Sequence, residues 1–166
     1  FFLATLLLSS FPLTVTASPP HKLPIVYVYT VVPAVCKYGL PSYIRHSLEQ
    51  AVLSQPDCDV IMASNFADCD EISKHLTNLS SVVQIDISAR YSSDKTKLFA
   101  NVSRNMFETD YGAELWITSA LRFFNLEDIM IQRGYAEMIH VEADNLLYGS
   151  MSSLLPILRT GYKDSM

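Results

Sequence analysis

The stretch Ala136-Glu-Met-Ile-His-Val-Glu-Ala-Asp-Asn-Leu-Leu-Tyr-Gly149 joins a short apolar run to an acidic triplet. Its apolar part predicts a strand over residues 137–142, and Glu142-Ala-Asp144 stands at the carboxyl end of that strand. Strand alternation would put the carboxylates of Glu142 and Asp144 on the same side, with their Cα atoms roughly 6.6 Å apart. Ligands of open α/β sheets bind outside the carboxyl ends of the strands, where such a pair suits a hard divalent cation that also holds phosphates. The alternative is a solvated acidic strand end.

Strand and helix patterns alternate along the rest of the chain. Residues 88–112 are polar, show no steady period and predict a long loop with one helical turn. The order of elements is typical of an α/β protein, and we predict a Rossmann-like three-layer sandwich with a mostly parallel sheet. Right-handed crossovers would place the loops that follow the strands along one edge of this sheet. Beside the strand at 137–142, the predicted elements are strands over 25–32, 60–63 and 82–87, and helices over 42–54, 68–76, 114–133 and 150–159.

The composition is that of a globular chain. The 166 residues suit one domain, with 49% apolar and 17% charged residues. The net charge of −5 includes no block of Lys or Arg, which disfavours nucleic acid and anionic membrane surfaces as partners. The three cysteines, Cys36, Cys58 and Cys69, have no zinc spacing; one bridge could form, but we expect three thiols.

The amino-terminal segment predicts a secretory route. Residues 1–17 carry no charge and end in small residues at the spacing that signal peptidase accepts. Their length, and Pro12, suit a membrane-spanning helix poorly, because such a helix needs ~20 residues. We predict a signal peptide or a clipped signal-anchor, a Pro-rich tether over 18–24, and one domain over 25–166 that is truncated at its carboxyl end. The sequons Asn78-Leu-Ser80 and Asn101-Val-Ser103 fit the lumen of the ER or Golgi, or secretion.

Two further acidic triplets compete for a metal ion. Asp57-Cys-Asp59 enters the second predicted strand, so it would lie at the opposite edge of the sheet, where a turn is the better interpretation. Asp68-Cys-Asp70 follows that strand, but Asp68 as a helix cap, with Glu71 reaching back, also explains it. Glu142-Ala-Asp144 follows an apolar strand directly and has no evident capping duty, so it is the preferred metal site.

Two basic or titratable residues have open interpretations. His140 would lie on the side of Glu142 and Asp144, as a third ligand or as a core histidine with a hydrogen-bond partner. Arg122 lies in a mostly apolar helix, where it could pair with a carboxylate such as Asp128 or Glu114, or bind a diphosphate bidentately.

The residues around the triplet carry a family likeness. The segment 114–128, followed by 138–145, resembles the helix and strand that precede the D-x-D motif of the GT-A glycosyltransferases. The segment 26–30, followed by 42–51, is similar to the first strand and helix of that superfamily. The resemblance spans residues 25 to about 160 and departs from the pattern in the first acid, which is Glu rather than Asp.

This resemblance implies transfer of a sugar from a nucleotide-diphosphate donor to an unidentified glycan, protein or lipid acceptor. It also implies a GT-A-like fold that is incomplete here, since the part that holds the acceptor site and any catalytic base in such enzymes is absent. The fragment itself is therefore expected to be inactive. The implied roles are Glu142 and Asp144 as ligands of Mn²⁺ or Mg²⁺, Arg122 on the donor, Thr30 and Val32 along the nucleotide, and Asn65 and Asp68 at the base or ribose.

Two other classes of function fit the same residues. The first is a non-catalytic, secreted α/β binding module in which the acidic triplet is structural. The second is a metal-dependent nucleotidyltransferase on a similar sheet, which the secretory leader and the lack of a glycine-rich loop disfavour.

Overall fold

The computed structural model describes residues 22–30, 33–106 and 111–161. Four strands form one sheet in the order β3-β2-β1-β4, and every neighbouring pair is parallel. The predicted α/β fold with a parallel sheet is confirmed. The strands are β1 Leu23–Tyr29, β2 Cys58–Ser64, β3 Val83–Asp86 and β4 Ile139–Val141; the helices are α1 Ser42–Ser54, α2 Asp70–Thr77, α3 Asp94–Met106, α4 Tyr111–Arg133 and α5 Met151–Gly161.

The sheet is covered on both faces, so β1 is apolar at successive positions rather than at alternate ones. Ile25 and Tyr27 are fully buried in the core that also holds residues of α1 and α2. Val26 and Val28 point to the other core, which contains Leu126 and Ile129 of α4 together with Ile61 and Ala63 of β2. The result is a three-layer α/β/α arrangement with β1 in the middle of the sheet.

The strand order reverses direction beside β1. The chain moves outward from β1 to β2 and β3, and then returns to the other side of β1 to form β4. The gap between the carboxyl ends of β1 and β4 is therefore the topological switch point, where open α/β sheets bind their ligands.

Helix α3 was not expected, because its residues show no steady apolar period. Its first turn is held by polar contacts: the Ser93 hydroxyl accepts a hydrogen bond from the Thr96 amide at 3.2 Å, as a helix cap does. The buried Asp128 carboxylate of α4 accepts two more, from the Ser93 amide at 2.9 Å and from the Thr96 hydroxyl at 2.8 Å. The prediction of a long loop over residues 88–112 is therefore wrong.

A disulfide joins Cys36 to Cys69, so the prediction of three thiols is wrong. A 3-10 helix, Pro33–Tyr38, turns the chain after β1 toward the start of α2, which brings the two Cα atoms to 5.6 Å. Cys58 remains a buried thiol, and burial raises its pKa.

The predicted capping role of Asp68 is also wrong. Asp68 ends a short 3-10 helix, Phe66–Asp68, and α2 begins two residues later, with Cys69 at the cap position and no side-chain cap hydrogen bond. Glu71 does not reach back to the cap; its carboxylate pairs with Lys74 instead. Because the disulfide fixes the residue at the cap position, α2 is anchored covalently at its start.

Other boundaries differ only by a few residues. β1 ends at Tyr29 rather than at 32, and β4 covers residues 139–141 rather than 137–142. The predicted leader over residues 1–17, part of the tether, and Val32 lie outside the described residues. Within the ranges that the structure describes, none of the helices combines the length and the apolar character needed to cross a bilayer.

Gly39 gives a stability prediction with an internal control. Its φ is +66°, and an added Cβ would lie 2.6 Å from Cε1 of His75, whose Nδ1 accepts a hydrogen bond from the Leu40 amide. Gly134 has nearly the same φ, +67°, but open space around the added Cβ. We expect Gly134→Ala to lower the free energy of unfolding by about 1–2 kcal/mol through the backbone alone, and Gly39→Ala to lower it by more. Urea unfolding of both variants measures the difference; equal losses would show that the His75 contact has no influence.

Candidate functional site

A cleft of about 360 Å³ lies at the topological switch point. The end of β1 forms one wall, the turn after β4 forms another, and one face of α4 faces them. We call it the carboxylate cleft. It is lined by Val28, Tyr29, Thr30, Tyr43, Thr118, Arg122, Glu142, Ala143 and Asp144.

Glu142 and Asp144 share this cleft, although not for the reason that strand alternation gave. β4 ends at Val141, and the Asn145 amide donates a hydrogen bond to the Glu142 carbonyl oxygen at 3.0 Å, which closes a tight turn. The turn, rather than the pleat of a strand, brings the two carboxylates to the same opening. Both side chains are solvent-exposed, as groups that receive a ligand from solution must be.

Arg122 is the basic group of the carboxylate cleft. It lies one helical turn after Thr118 on α4, so both side chains share one face of the helix. The Arg122 Nη1 donates to Glu142 Oε1, with 22% of the Arg122 side chain and 52% of the Glu142 side chain exposed.

The predicted carboxylate partners of Arg122 need correction. Asp128 is committed to Ser93 and Thr96 at the start of α3, so Glu142 of the candidate metal site takes its place. The side chain of Glu114 lies outside the described residues. A single ion pair therefore links the predicted donor-binding arginine to the predicted metal ligand.

His140 of β4 lies beside the Glu142 carboxylate of this ion pair. Its Nδ1 is 3.0 Å from the Val26 carbonyl oxygen, and a carbonyl only accepts, so Nδ1 carries the proton and donates. The other ring nitrogen, Nε2, lies 3.8 Å from Oε1 of Glu142 and is buried with no hydrogen-bond partner among the described residues. The interpretation of His140 as a core histidine with a hydrogen-bond partner is confirmed for Nδ1, whereas its role as a third metal ligand stays a prediction.

Tyr29 is a neutral hydrogen-bonding group of the carboxylate cleft. Burial, and secondarily the neighbouring Tyr43, raises the pKa of Tyr29 above its ordinary value. Tyr29 therefore stays protonated at neutral pH and can donate to an anionic ligand. Tyr43, at the start of α1, is 51% exposed at the cleft.

A second cleft, of about 230 Å³, adjoins the first at the carboxyl ends of β2 and β3. Thr30 lines both clefts and so marks where they meet. We call this one the α3 cleft. It is lined by Thr30, Asn65, Asp68, Ile87, Ser88, Ala89, Ser92, Thr96, Lys97, Ala100, Asn101, Arg104, Leu121 and Asn125.

The α3 cleft contains three of the predicted site residues, Thr30, Asn65 and Asp68, and three residues of α3 that were not among them. Asn65 and Asp68 follow β2, as expected for residues at this edge of the sheet. Lys97, Asn101 and Arg104 come from α3, at a spacing of four and then three residues that puts them on one helix face. Two sequence features could have predicted this face: the helix-cap pattern at the start of α3 and the spacing of its polar residues. Both were overlooked because α3 has no apolar stripe.

The donor set fits a hard cation that keeps part of its water shell. Glu142 and Asp144 offer oxygen ligands beside an arginine, an arrangement suited to Mg²⁺ or Mn²⁺ held jointly by protein carboxylates and substrate phosphates. No three His, Cys, Asp or Glu side chains in ranges 22–30, 33–106 and 111–161 form a cluster that could hold a metal by themselves. The two carboxylates would therefore need ligands from water or from a substrate.

Comparison with protein-family models gives no match, and comparisons with curated proteins and with solved structures give no significant match either. The function must therefore be inferred from the chemistry of the two clefts.

Proposed function

We propose that this chain is the donor-binding part of a GT-A-type glycosyltransferase that moves a sugar from a nucleotide-diphosphate donor to an acceptor. One observation carries the proposal: two exposed carboxylates and an arginine line a cleft at the switch point of a parallel sheet. Nucleotide diphosphates bring negative oxygens and accept a bridging divalent cation, so they match this combination of groups.

The residues of the carboxylate cleft have separate tasks in this proposal. Glu142 and Asp144 would hold Mn²⁺ or Mg²⁺, which when bound neutralises charge on the leaving diphosphate. Arg122 would release the Glu142 carboxylate and bind a diphosphate oxygen instead. Its planar guanidinium forms strong, paired hydrogen bonds to phosphate. Tyr29, kept neutral by burial, would donate a further hydrogen bond.

The nucleoside would extend into the α3 cleft. Thr30 lines both clefts, so a ligand with its diphosphate at Glu142 and Asp144 would extend past Thr30 toward Asn65 and Asp68. Amide and carboxylate side chains read base edges and ribose hydroxyls through hydrogen bonds.

Thermal unfolding in the presence of nucleotides tests the proposal. We expect UDP or GDP with Mn²⁺ to raise the midpoint of unfolding, and EDTA to remove the increase, because a ligand that binds only the folded state stabilises it. At 100 times the dissociation constant, this stabilisation is about 2.7 kcal/mol. A non-catalytic module with a structural triplet predicts no metal-dependent shift, and the ion pair that already satisfies Glu142 is the observation in its favour.

Arg122→Gln separates metal binding from diphosphate binding. Loss of the guanidinium frees Glu142, so we expect Mn²⁺ alone to bind as well as before or more tightly. The affinity for UDP or GDP with Mn²⁺ should fall on the order of tenfold, since a charge-assisted hydrogen bond contributes ~1.5–3 kcal/mol. Isothermal titration calorimetry measures both affinities.

Arg133→Gln is the matched control for this variant. It makes the same change in the last turn of α4, at an exposed position away from the cleft. A parallel loss of nucleotide affinity in both variants would show that helix α4, rather than the cleft guanidinium, is responsible.

A further inference from the structure

A groove of about 360 Å³ lies at the end of the molecule opposite the two clefts. It runs between the last turn of α1 and the segment that joins α2 to the amino end of β3. We call it the Asn78 groove. Its lining includes Val52, Leu53, Asn78, Leu79, Ser80 and Val82.

The groove joins an apolar surface to an N-glycosylation sequon. Leu79 and Val82 are buried, whereas Leu53 at its rim is 84% exposed. Asn78 and Ser80, the acceptor and the hydroxyl residue of the sequon, are both exposed in the turn that follows α2. The asparagine thus lines the same groove as the exposed Leu53 side chain.

The second sequon has a different setting. Asn101 lies inside α3, and the hydroxyl residue of that sequon, Ser103, is only 5% exposed. Asn101 also lines the α3 cleft together with Lys97 and Arg104. A glycan there would project over the cleft, and the folded helix buries the hydroxyl residue of the sequon.

The Cys36–Cys69 disulfide indicates the same cellular compartment that N-glycosylation requires. Disulfides form and persist in oxidising compartments such as the ER lumen, which is also where N-linked glycans are attached.

We propose that Asn78, and not Asn101, carries an N-linked glycan, and that its first N-acetylglucosamine covers the Asn78 groove. In the transfer, the Asn78 side-chain nitrogen bonds to the anomeric carbon of an oligosaccharide carried on a lipid diphosphate. The bond from that carbon to the diphosphate oxygen breaks, the lipid diphosphate leaves, and the amide nitrogen loses one proton. The modification is independent of the nucleotide-sugar proposal, since the groove and the clefts lie at opposite edges of the sheet.

Mass spectrometry of the secreted chain tests the site. The chain is expressed behind a cleavable signal peptide in cells that make only high-mannose glycans, and the glycan is released by peptide N-glycosidase in H₂¹⁸O. We expect an ¹⁸O-labelled aspartate at position 78 and unlabelled asparagine at 101. The Ser80→Ala variant should lose the whole glycan mass and Ser103→Ala none. An unmodified Asn78, or a label at 101, would overturn the proposal.

A second measurement tests whether the sugar covers the groove. An endoglycosidase leaves one N-acetylglucosamine on the asparagine, whereas the N-glycosidase leaves none. We expect the fluorescent apolar-surface probe bis-ANS to bind less to the one-sugar form, and Leu53→Ser to reduce probe binding in the sugar-free form. Equal probe binding by the one-sugar and sugar-free forms would contradict the predicted cover.

Discussion

Replacing Asp144 by asparagine is expected to abolish the Mn²⁺-dependent binding of UDP or GDP. The change keeps the size of the side chain and removes the negative charge that a hard cation requires. Loss of an outer-shell partner alone costs a metal site roughly 10- to 100-fold in affinity, and loss of a direct ligand should cost at least as much. Because Asp144 is exposed, the free energy of unfolding without ligand should change by less than about 0.5 kcal/mol. Calorimetric titration with Mn²⁺ and nucleotide measures the affinity.

Asp57→Asn is the matched control for Asp144→Asn. Asp57 is also exposed, but it precedes β2 and lies at the edge of the sheet away from both clefts. We expect its variant to keep full metal-dependent binding, and Glu142→Gln to behave like Asp144→Asn. If Asp144→Asn binds the nucleotide with Mn²⁺ as tightly as the Asp57 variant does, Asp144 is not a metal ligand.

Removal of the Cys36–Cys69 disulfide is expected to have the largest effect on stability. The bridge spans 33 residues, and a cross-link of this length restricts the unfolded chain enough to stabilise the fold by about 2–4 kcal/mol. We expect the double variant Cys36→Ser, Cys69→Ser to lose this amount in urea unfolding. A reductant should lower the stability of the unaltered chain by the same amount and leave that of the double variant unchanged.

Cys58→Ala provides the control, because it removes the buried thiol and keeps the bridge. This variant should still lose stability when a reductant is added. A double serine variant as stable as the oxidised chain would contradict the role assigned to the bridge.

Local patterns were sufficient for the elements that bury an apolar stripe. Helix α1 covers residues 42–54 as predicted, because Ile44, Leu48 and Ala51 recur at helical spacing and pack in the core. The alternation of strands and helices predicted the parallel sheet, because each of these elements could be recognised from its own apolar pattern. Such elements are determined by residues that are close together in the sequence.

The start of α3 shows what the sequence could not supply. It depends on the Asp128 carboxylate, which comes from α4, 35 residues away from the Ser93 amide. The pairing of Cys36 with Cys69 likewise depends on the path of the chain between them. Contacts between distant residues leave no periodic trace in the sequence, so both features were missed.

The candidate site was predictable in position and not in detail. The acidic triplet, Thr30 and Arg122 do meet at one cleft, because the carboxyl ends of parallel strands share an edge. The pairing of Arg122 with Glu142 could not be foreseen, since it depends on how α4 packs against the turn after β4. The α3 residues of the second cleft were not predicted, because the helix itself was not predicted.

The position of β4 in the sheet determines when this cleft can form. Val26 of β1 and His140 of β4 are neighbours in the sheet but stand 114 residues apart in the chain. During synthesis on the ribosome, one edge of β1 therefore stays unpaired while the residues between the two strands are made, and unpaired strand edges expose nascent chains to misassembly. The two acids emerge just after β4. A translation product that stops before them can build β1, β2 and β3 and still has neither acid.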